Sequence, residues 1–231
     1  MKHLRFSLFE ALNGVKGAYQ TTPTQELSFK ELVRYYQSNK NKIQSERILN
    51  APTKEIQSKL KEEREYYTPC GTFTQRKTDN LTHHNNVISI DIDNLESRAK
   101  AEEIRNRLAQ HNSILFSLLS VRGKGVKGLM LVNATYSPQE QYKQLKHIFK
   151  PYLAKYLNLD PKHIDEAQFR IAQPCYFSYD KDMIVNFNAE PLELDFNYVE
   201  PKLPDFKKVN VPNNATNRIE AFILGILQNQ I

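Results

Sequence analysis

The chain has 231 residues, of which 40% are hydrophobic and 25% charged, as is usual for a globular protein with one sizeable core. No apolar run reaches the ~20 residues of a membrane span, and the N-terminus lacks a signal peptide's apolar stretch, so we expect a cytoplasmic protein with no membrane partner. Cys70 and Cys175 are too few and too far apart for a zinc cluster or a disulfide framework. The net charge of +6 favours a polyanionic partner such as nucleic acid or a nucleotide.

The N-terminal part is predicted to hold one strand followed by helices. Leu4–Leu12 has the pattern of a strand, and Ser28 with Glu31 forms a capping box that opens a helix. Residues 42–66 are helical and heavily charged, with a break at Pro52. We expect this segment to be a solvated helical hairpin that packs on a sheet.

A polar loop follows the next predicted strand. Tyr66–Phe73 is predicted to be a short strand. We expect a hairpin from Tyr67–Phe73 to Val87–Asp93, so that residues 75–86 hang over one end of the sheet. The candidate nucleic-acid contacts on this loop are Arg76, Lys77 and His83.

Val87–Asp93 is the segment around which the chain is organised. Apolar and polar residues alternate with a period of two, which predicts a strand with one buried face. The isoleucines of "VISIDID" fall on one face, and Asp91 and Asp93 fall on the other. Two neighbouring carboxylates repel each other, and Mg²⁺ prefers such hard oxygen ligands together with substrate phosphates. The alternative is a strand end that simply runs into solvent.

A helix over residues 96–111 separates this strand from two further apolar strands at 113–119 and 127–132. Strand, helix, strand in this order indicates a crossover connection. The predicted fold class is α+β, with a mixed α/β sheet.

Ser120–Lys127 joins the last two of these strands with glycines and cations. Gly123 and Gly125 let the backbone approach a ligand closely, and Arg122, Lys124 and Lys127 supply positive charge. The spacing of a Walker A loop is missing. The loop is therefore either a phosphate-binding loop or a flexible basic hairpin.

Nucleotidyl transfer with two metal ions needs a third carboxylate. Asp165, followed by Arg170, is our candidate, and Asp180 and Asp182 are its rivals. Asp165 as the N-cap of a helix is the alternative interpretation.

Four blocks of the sequence together resemble the VirE N-terminal domain family, whose members are primase-like domains of the archaeo-eukaryotic primase superfamily. The blocks are "CGTFTQR", "VISIDIDNL", "SVRGKGVKGLMLV" and "CYFSYDKDMIVNFNAEPL". The resemblance covers about residues 67 to 194, and the order of the blocks is more specific than any one of them.

The resemblance implies an RRM-like catalytic core, a mixed sheet flanked by helices, preceded by the N-terminal strand and helical segment. It makes Asp91, Asp93 and Asp165 the catalytic ligands of Mg²⁺ or Mn²⁺. Lys127 stands where the superfamily commonly has a phosphate-contacting histidine, and lysine cannot act as a near-neutral proton carrier. The candidate nucleotide and phosphate contacts are Ser120, Arg122, Gly123, Lys124, Gly125, Lys127 and Arg170.

The function that these features predict is that of a DNA primase or primase-polymerase of a mobile element or phage. It would join nucleoside triphosphates on a single-stranded DNA template. One alternative is a primase-fold module that binds nucleic acid without catalysis, which the lysine at position 127 favours. The other is a relaxase-like nicking domain that uses His83-His84 with Tyr66 or Tyr67.

The predicted domain boundaries follow from composition. Residues 1–198 form the catalytic domain, with its N-terminal helical part at 28–66 and its core at 67–194. Residues 199–216 are rich in proline and are predicted to form a linker. Residues 217–231 begin a further helical module, cut short, and a primase-associated or helicase module is the expected C-terminal partner.

Overall fold

The computed structural model describes residues 3–11, 16–133 and 138–194, and all of them belong to one compact unit bounded by Met1 and Tyr198. In chain order the strands are β1 (Arg5–Phe9), β2 (Gln25–Ser28), β3 (Tyr66–Thr68), β4 (Gly71–Phe73), β5 (Leu81–His84), β6 (Val87–Ile92), β7 (Ile114–Leu119), β8 (Val126–Asn133), β9 (Cys175–Tyr176), β10 (Ile184–Val185) and β11 (Leu192–Glu193). The helices are α1 (Phe29–Tyr36), α2 (Asn39–Leu49), α3 (Lys54–Glu62), α4 (Arg98–Ala109) and α5 (Pro138–Leu157).

The central sheet is arranged around β8, which pairs antiparallel with β7 and with β6. Helix α4 connects β6 to β7. Because both strands run antiparallel to β8, which lies between them, β6 and β7 run parallel to each other. An antiparallel bridge between Ile92 and Ile164 places the segment after α5 next to β6. This is the connectivity of the split βαβ unit of ferredoxin-like folds, and it confirms the predicted α+β class.

One face of the central sheet is covered by α4 and α5. The three isoleucines of β6 lie on this face, in a core cluster with Ile104 and Leu108 of α4 and Phe149 of α5. The period-two pattern of the sequence therefore predicted the orientation of β6 correctly.

The other face is also covered, which the sequence did not predict. A second sheet, in the order β2-β1-β3-β9, packs there together with α1 and shares a core cluster with Val87 and Leu129. Ser89 and Asp91 are consequently buried between two layers rather than turned towards solvent. Helix α1 begins with the capping box that the sequence predicts, in which the Ser28 hydroxyl accepts the Glu31 N–H and the Glu31 carboxylate accepts the Ser28 N–H.

Helices α2 and α3 form the predicted hairpin, and the Thr53 hydroxyl accepts the Ile56 N–H at the start of α3, 3.2 Å away. The packing of this hairpin is uneven. Ile48 of α2 is buried, whereas Ile43 is 57% exposed and none of the residues of α3 is buried. Helix α3 is therefore held by few apolar contacts.

The predicted hairpin between Tyr67–Phe73 and Val87–Asp93 is wrong. The first segment splits into β3, which joins the second sheet, and β4, which pairs with β5. A side chain at Gly71 would lie 1.7 Å from the His83 carbonyl oxygen. The absence of a side chain at Gly71 thus permits the close β4–β5 pairing, and part of the predicted polar loop becomes a strand.

The predicted linker at 199–216 and the predicted helical module at 217–231 lie outside the described residues. Both stay predictions, as does the C-terminal partner. Among the described residues, no helix is long and apolar enough to cross a membrane. Cys70 and Cys175 are both buried and form no disulfide bond.

A buried ion pair joins the last part of the chain to α4. Arg105 Nη1 donates to Asp180 Oδ2 at 3.0 Å, and the same oxygen accepts the Leu119 N–H at 2.9 Å. Asp180 Oδ1 also accepts the Asp182 N–H. Asp180 is therefore an anchor for the end of β7, and it is not available as the third carboxylate of a metal site.

We predict that Asp180→Ala lowers the free energy of unfolding by about 3–5 kcal/mol, because it leaves the buried Arg105 cation without its partner. The matched control is Glu102→Ala, which breaks an exposed pair with Arg98 and is expected to cost less than about 1 kcal/mol. Urea unfolding of both variants measures the difference. Equal costs for the two variants would contradict this role of Asp180.

A second prediction concerns His111, whose pKa is lowered from 6.5 by burial. Its Nδ1 accepts the Ser113 N–H, so the neutral ring carries its proton on Nε2, next to the Tyr152 hydroxyl at 2.6 Å. As pH falls below about 6.5 the unfolded chain binds a proton before the folded chain does, so stability falls with pH. Thermal unfolding between pH 7.5 and 5 is expected to show a shallower pH dependence for His111→Gln than for the wild type. An unchanged slope would contradict this assignment.

Candidate active site

The register of β6 against β8 places a carboxylate opposite an ammonium group. Asp91 pairs with Lys127 across the two strands, and both side chains lie on the face covered by the second sheet. Lys127 Nζ donates to Asp91 Oδ2 at 2.5 Å, and both side chains are buried. Burial alone would lower the pKa of Lys127, but the Asp91 carboxylate outweighs it and raises this pKa above its usual value.

Asp93 lies one step beyond the last paired residue of β6 and is exposed at the rim. A side chain at Gly125 would lie 2.5 Å from the Ile92 carbonyl oxygen, 2.9 Å from Ser120 Oγ and 3.1 Å from Asp93 Oδ1. Gly125 is thus the residue that lets Ser120 and Asp93 approach each other. Partial burial, followed by the charge of Asp91, raises the pKa of Asp93.

Asp165 lies alongside these residues on the neighbouring segment. Its N–H donates to the Asp91 carbonyl at 2.9 Å, and the Asp93 N–H donates to the His163 carbonyl at 2.8 Å. The Asp165 carboxylate, however, accepts the Ala167 N–H and caps a short 3₁₀ helix. The structure therefore shows the capping role, close to Asp91 but with this oxygen already engaged.

Both carboxylates and several cationic side chains line the same pocket. Its volume is about 70 Å³, enough for a few water molecules or ions. It is lined by Ile48, Gln57, Lys61, Asp91, Asp93, Ser120, Val121, Arg122, Lys127 and Phe177. The pocket thus lies where the central sheet, the α2–α3 hairpin and the segment after β9 meet.

The loop between β7 and β8 contributes to the pocket in part. Ser120 and Arg122 line it, but Lys124 Nζ is directed to the Glu96 carbonyl, 3.4 Å away. Gly123 adopts a φ of +69°, which glycine tolerates best. Arg122 Nε donates to Gln57 Oε1 of α3 at 2.8 Å, so the loop is tied to the helical hairpin.

The other predicted contacts lie away from this pocket. Arg170 is exposed at the end of the 3₁₀ helix and does not line the pocket. Arg76 packs over the Tyr66 ring, 5.0 Å from its centroid, and Lys77 is exposed nearby. His83 belongs to β5, and none of these three loop residues lines the pocket.

Lys61 and Gln57 were missed by the sequence analysis. They are one helical turn apart on α3 and therefore share a face. No motif marks them, because their place in the pocket depends on how α3 lies over the sheet. Partial desolvation of the exposed Lys61 side chain by the protein atoms around it, followed by the charge of Lys127, lowers its pKa.

The carboxylates of the pocket, Asp91 and Asp93, are possible ligands for a divalent metal ion. Among the described residues, no group of three or more histidine, cysteine, aspartate or glutamate side chains is placed to hold a metal ion. Asp91 Oδ1, however, is buried without a hydrogen-bond partner, and Asp93 is reachable from solvent in the same pocket. Two carboxylates suit Mg²⁺ or Mn²⁺ when substrate phosphates complete the coordination. The residues fit a metal bound together with a phosphate ligand.

A family model matches residues 59–184, which include both aspartates, the glycine loop and Lys61. Its description is "BT4734-like, N-terminal domain". The chain belongs to the BT4734-like N-terminal domain family. No curated protein and no solved structure shows significant similarity to the chain.

The predicted membership of the VirE N-terminal domain family, and through it of the archaeo-eukaryotic primase superfamily, is therefore wrong. The four blocks that suggested it are a short strand with the start of a polar loop, a short alternating strand, a glycine-rich loop and a short aromatic segment. Such patterns follow from a buried strand and a tight basic loop. The roles assigned to Asp91, Asp93 and Lys127 must consequently be argued from their geometry.

We predict that Lys127→Met destabilises the protein by about 3–5 kcal/mol in the presence of EDTA, because the buried Asp91 carboxylate loses its cation. Mg²⁺ at millimolar concentration should restore part of this loss by binding Asp91. Thermal unfolding with and without Mg²⁺ measures both effects.

Two controls accompany this test. Asp91→Asn/Lys127→Met should recover stability in EDTA and show no response to Mg²⁺, and Lys162→Met at an exposed pair should change little. The metal assignment would be contradicted if Mg²⁺ raised the unfolding temperature of the double variant as much as that of Lys127→Met.

Proposed function

We propose that this pocket catalyses nucleotidyl transfer on a single-stranded DNA template, as the catalytic domain of a DNA primase or primase-polymerase does. One observation supports the proposal most strongly: two carboxylates and three cations line the same open pocket. One of the carboxylates, Asp91, has a buried oxygen without a hydrogen-bond partner. Carboxylates that hold a divalent ion beside cations that hold phosphate are the elements that phosphoryl-transfer sites need.

Each residue has a defined task in this proposal. Asp91 and Asp93 hold Mg²⁺ or Mn²⁺, while Arg122 and Lys127 bind the triphosphate, and Ser120 can donate a hydrogen bond to it. The metal, when bound, stabilises the negative charge on the reacting phosphate and on the leaving pyrophosphate. Because the pocket holds only a few waters' volume, it takes the phosphates, and the sugar and base lie at its mouth.

The reaction itself needs no further cofactor. The oxygen of a 3′-hydroxyl bonds to the α-phosphorus of a nucleoside triphosphate, the bond from that phosphorus to the bridging oxygen breaks, and pyrophosphate leaves. The hydroxyl proton passes to solvent, which reaches Asp93 at the rim. The predicted third ligand, Asp165, supplies negative charge near Asp93 rather than a free carboxylate.

The template is proposed to bind through phosphate contacts with the basic surface, since the net charge is +6. Arg76 and Lys77 in the loop between β4 and β5, and His83 on β5, stay the predicted template contacts. We place the activity in the cytoplasm, where nucleoside triphosphates and DNA are available and where the two cysteines, which form no disulfide bond, stay reduced.

A non-catalytic nucleic-acid-binding module is the second candidate, and one observation favours it. The Asp91–Lys127 ion pair already neutralises one carboxylate, which is a stable arrangement without any metal. In that case the pocket would bind phosphate without transferring it.

The relaxase alternative gains no support from the structure. Tyr67 is fully buried and its hydroxyl lies 3.1 Å from that of Tyr36, while the Tyr66 hydroxyl donates to the Gln20 carbonyl. Burial raises the pKa of Tyr67 well above its usual value. Neither tyrosine is placed as a nucleophile for DNA.

We predict that the wild-type protein extends or starts DNA strands on a single-stranded template with Mg²⁺ or Mn²⁺, and that Asp91→Ala/Asp93→Ala reduces product to background. The measurement is gel analysis of labelled nucleotide incorporation, with and without a primer. Asp160→Ala, which removes an exposed carboxylate, serves as the matched control and should keep full activity. Template binding without product in the wild type would favour the binding-module candidate.

A further inference from the structure

We propose that α3 is part of the substrate-binding machinery and that Lys61 is a phosphate-binding residue that acts together with Arg122. This inference rests on the proposed function, because it names residues that hold the nucleotide's phosphates in the same pocket. Two features of the structure support it: the charge balance of the pocket and the weak anchoring of α3.

Within the part of the chain that the structure describes, two cations of the pocket form no ion pair with a carboxylate. Lys127 is paired with Asp91. Arg122 donates to the neutral Gln57 side chain, and for Lys61 the described contact is the face of the Tyr176 ring, 5.7 Å from Nζ. Lys59 on the same helix differs, since it pairs with Glu55 at 3.0 Å. The three cations of the pocket, Lys61, Arg122 and Lys127, outnumber its two carboxylates, so the pocket keeps a net positive charge that an anionic ligand can neutralise.

The anchoring of α3 points to the same role. None of its nine residues is buried, so burial of apolar surface contributes little to its position. At one end Arg64 fixes the chain by donating to Asn41 and Ser45, and at the other the helix begins after Pro52. Between these points Gln57 and Lys61 both line the pocket, and Gln57 is bonded to Arg122. The helix is thus held over the pocket largely by polar contacts that a bound phosphate can replace.

An anion between Lys61 and Arg122 would receive charge-assisted hydrogen bonds from both sides. Such bonds contribute more than neutral ones, so removing one of the two cations is expected to be measurable in affinity. The chemical class of ligand is a polyphosphate, since Asp93 in the same pocket requires a cation between itself and any phosphate oxygen.

The test compares Lys61→Met with Lys59→Met, which keeps the same helix, the same chemistry of substitution and a similar side-chain stem. The probes are inorganic tripolyphosphate and a deoxynucleoside triphosphate, each with Mg²⁺, and binding is measured by isothermal titration calorimetry. Lys61→Met is expected to raise the dissociation constant about tenfold, while Lys59→Met changes it less than about twofold. Lys61→Arg should restore most of the affinity.

The outcomes separate this inference from the proposed function. If the wild type binds the polyphosphate in a Lys61-dependent manner but makes no DNA product, the phosphate-binding role stands and the proposed reaction fails. If product is formed and Lys61→Met binds both probes as tightly as Lys59→Met does, the role of Lys61 is wrong and the reaction stands. Absence of binding by the wild type at millimolar polyphosphate overturns the inference.

Discussion

The antiparallel register of β6 and β8 is the constraint on which the candidate site depends. It places Asp91 directly across from Lys127 on a face that a second sheet covers. A carboxylate buried in this position is costly unless a cation neutralises it. Lys127 meets this need with one carboxylate oxygen and leaves the other, Oδ1, without a partner. The same register that stabilises the sheet therefore creates an unsatisfied acceptor at the bottom of a pocket.

The pocket is the gap between three structural elements that do not pack fully against one another. The central sheet ends at Asp93, the second sheet ends near Phe177, and the α2–α3 hairpin lies across the gap. Gly125 and the bond from Arg122 to Gln57 set the distances between these parts. The family match begins at residue 59, so it covers Lys61 and the sheet residues but not Gln57 or Ile48.

The sequence predicted those features that depend on local pattern. Period-two alternation predicted β6 and its apolar face, and the capping box and the break at Pro52 predicted the start of α1 and the division between α2 and α3. The sequence-based prediction failed where contacts between residues distant in the chain determine the structure. The second covered face of β6 is created by β1 and β3, and the role of Asp180 by Arg105, 75 residues away. The pairing of β4 with β5 and the position of α3 also depend on tertiary contacts.

The candidate site was predicted in part for the same reason. Asp91, Asp93, Ser120, Arg122 and Lys127 come together because adjacent strands and their connecting loop must meet. Asp165 lies beside Asp91 as a consequence of one bridge, yet its carboxylate caps a helix. The family was misjudged because short motifs describe a strand and a loop rather than an ancestry.

The most direct test of the account is a crystal structure with Mn²⁺ and a non-hydrolysable deoxynucleoside triphosphate, with the metal located by anomalous scattering. The account predicts an anomalous peak in coordination contact with Asp91 and Asp93, with the phosphates between it and the side chains of Arg122 and Lys61. A nucleotide bound elsewhere, with the Asp91–Lys127 ion pair intact and no peak in the pocket, would contradict it.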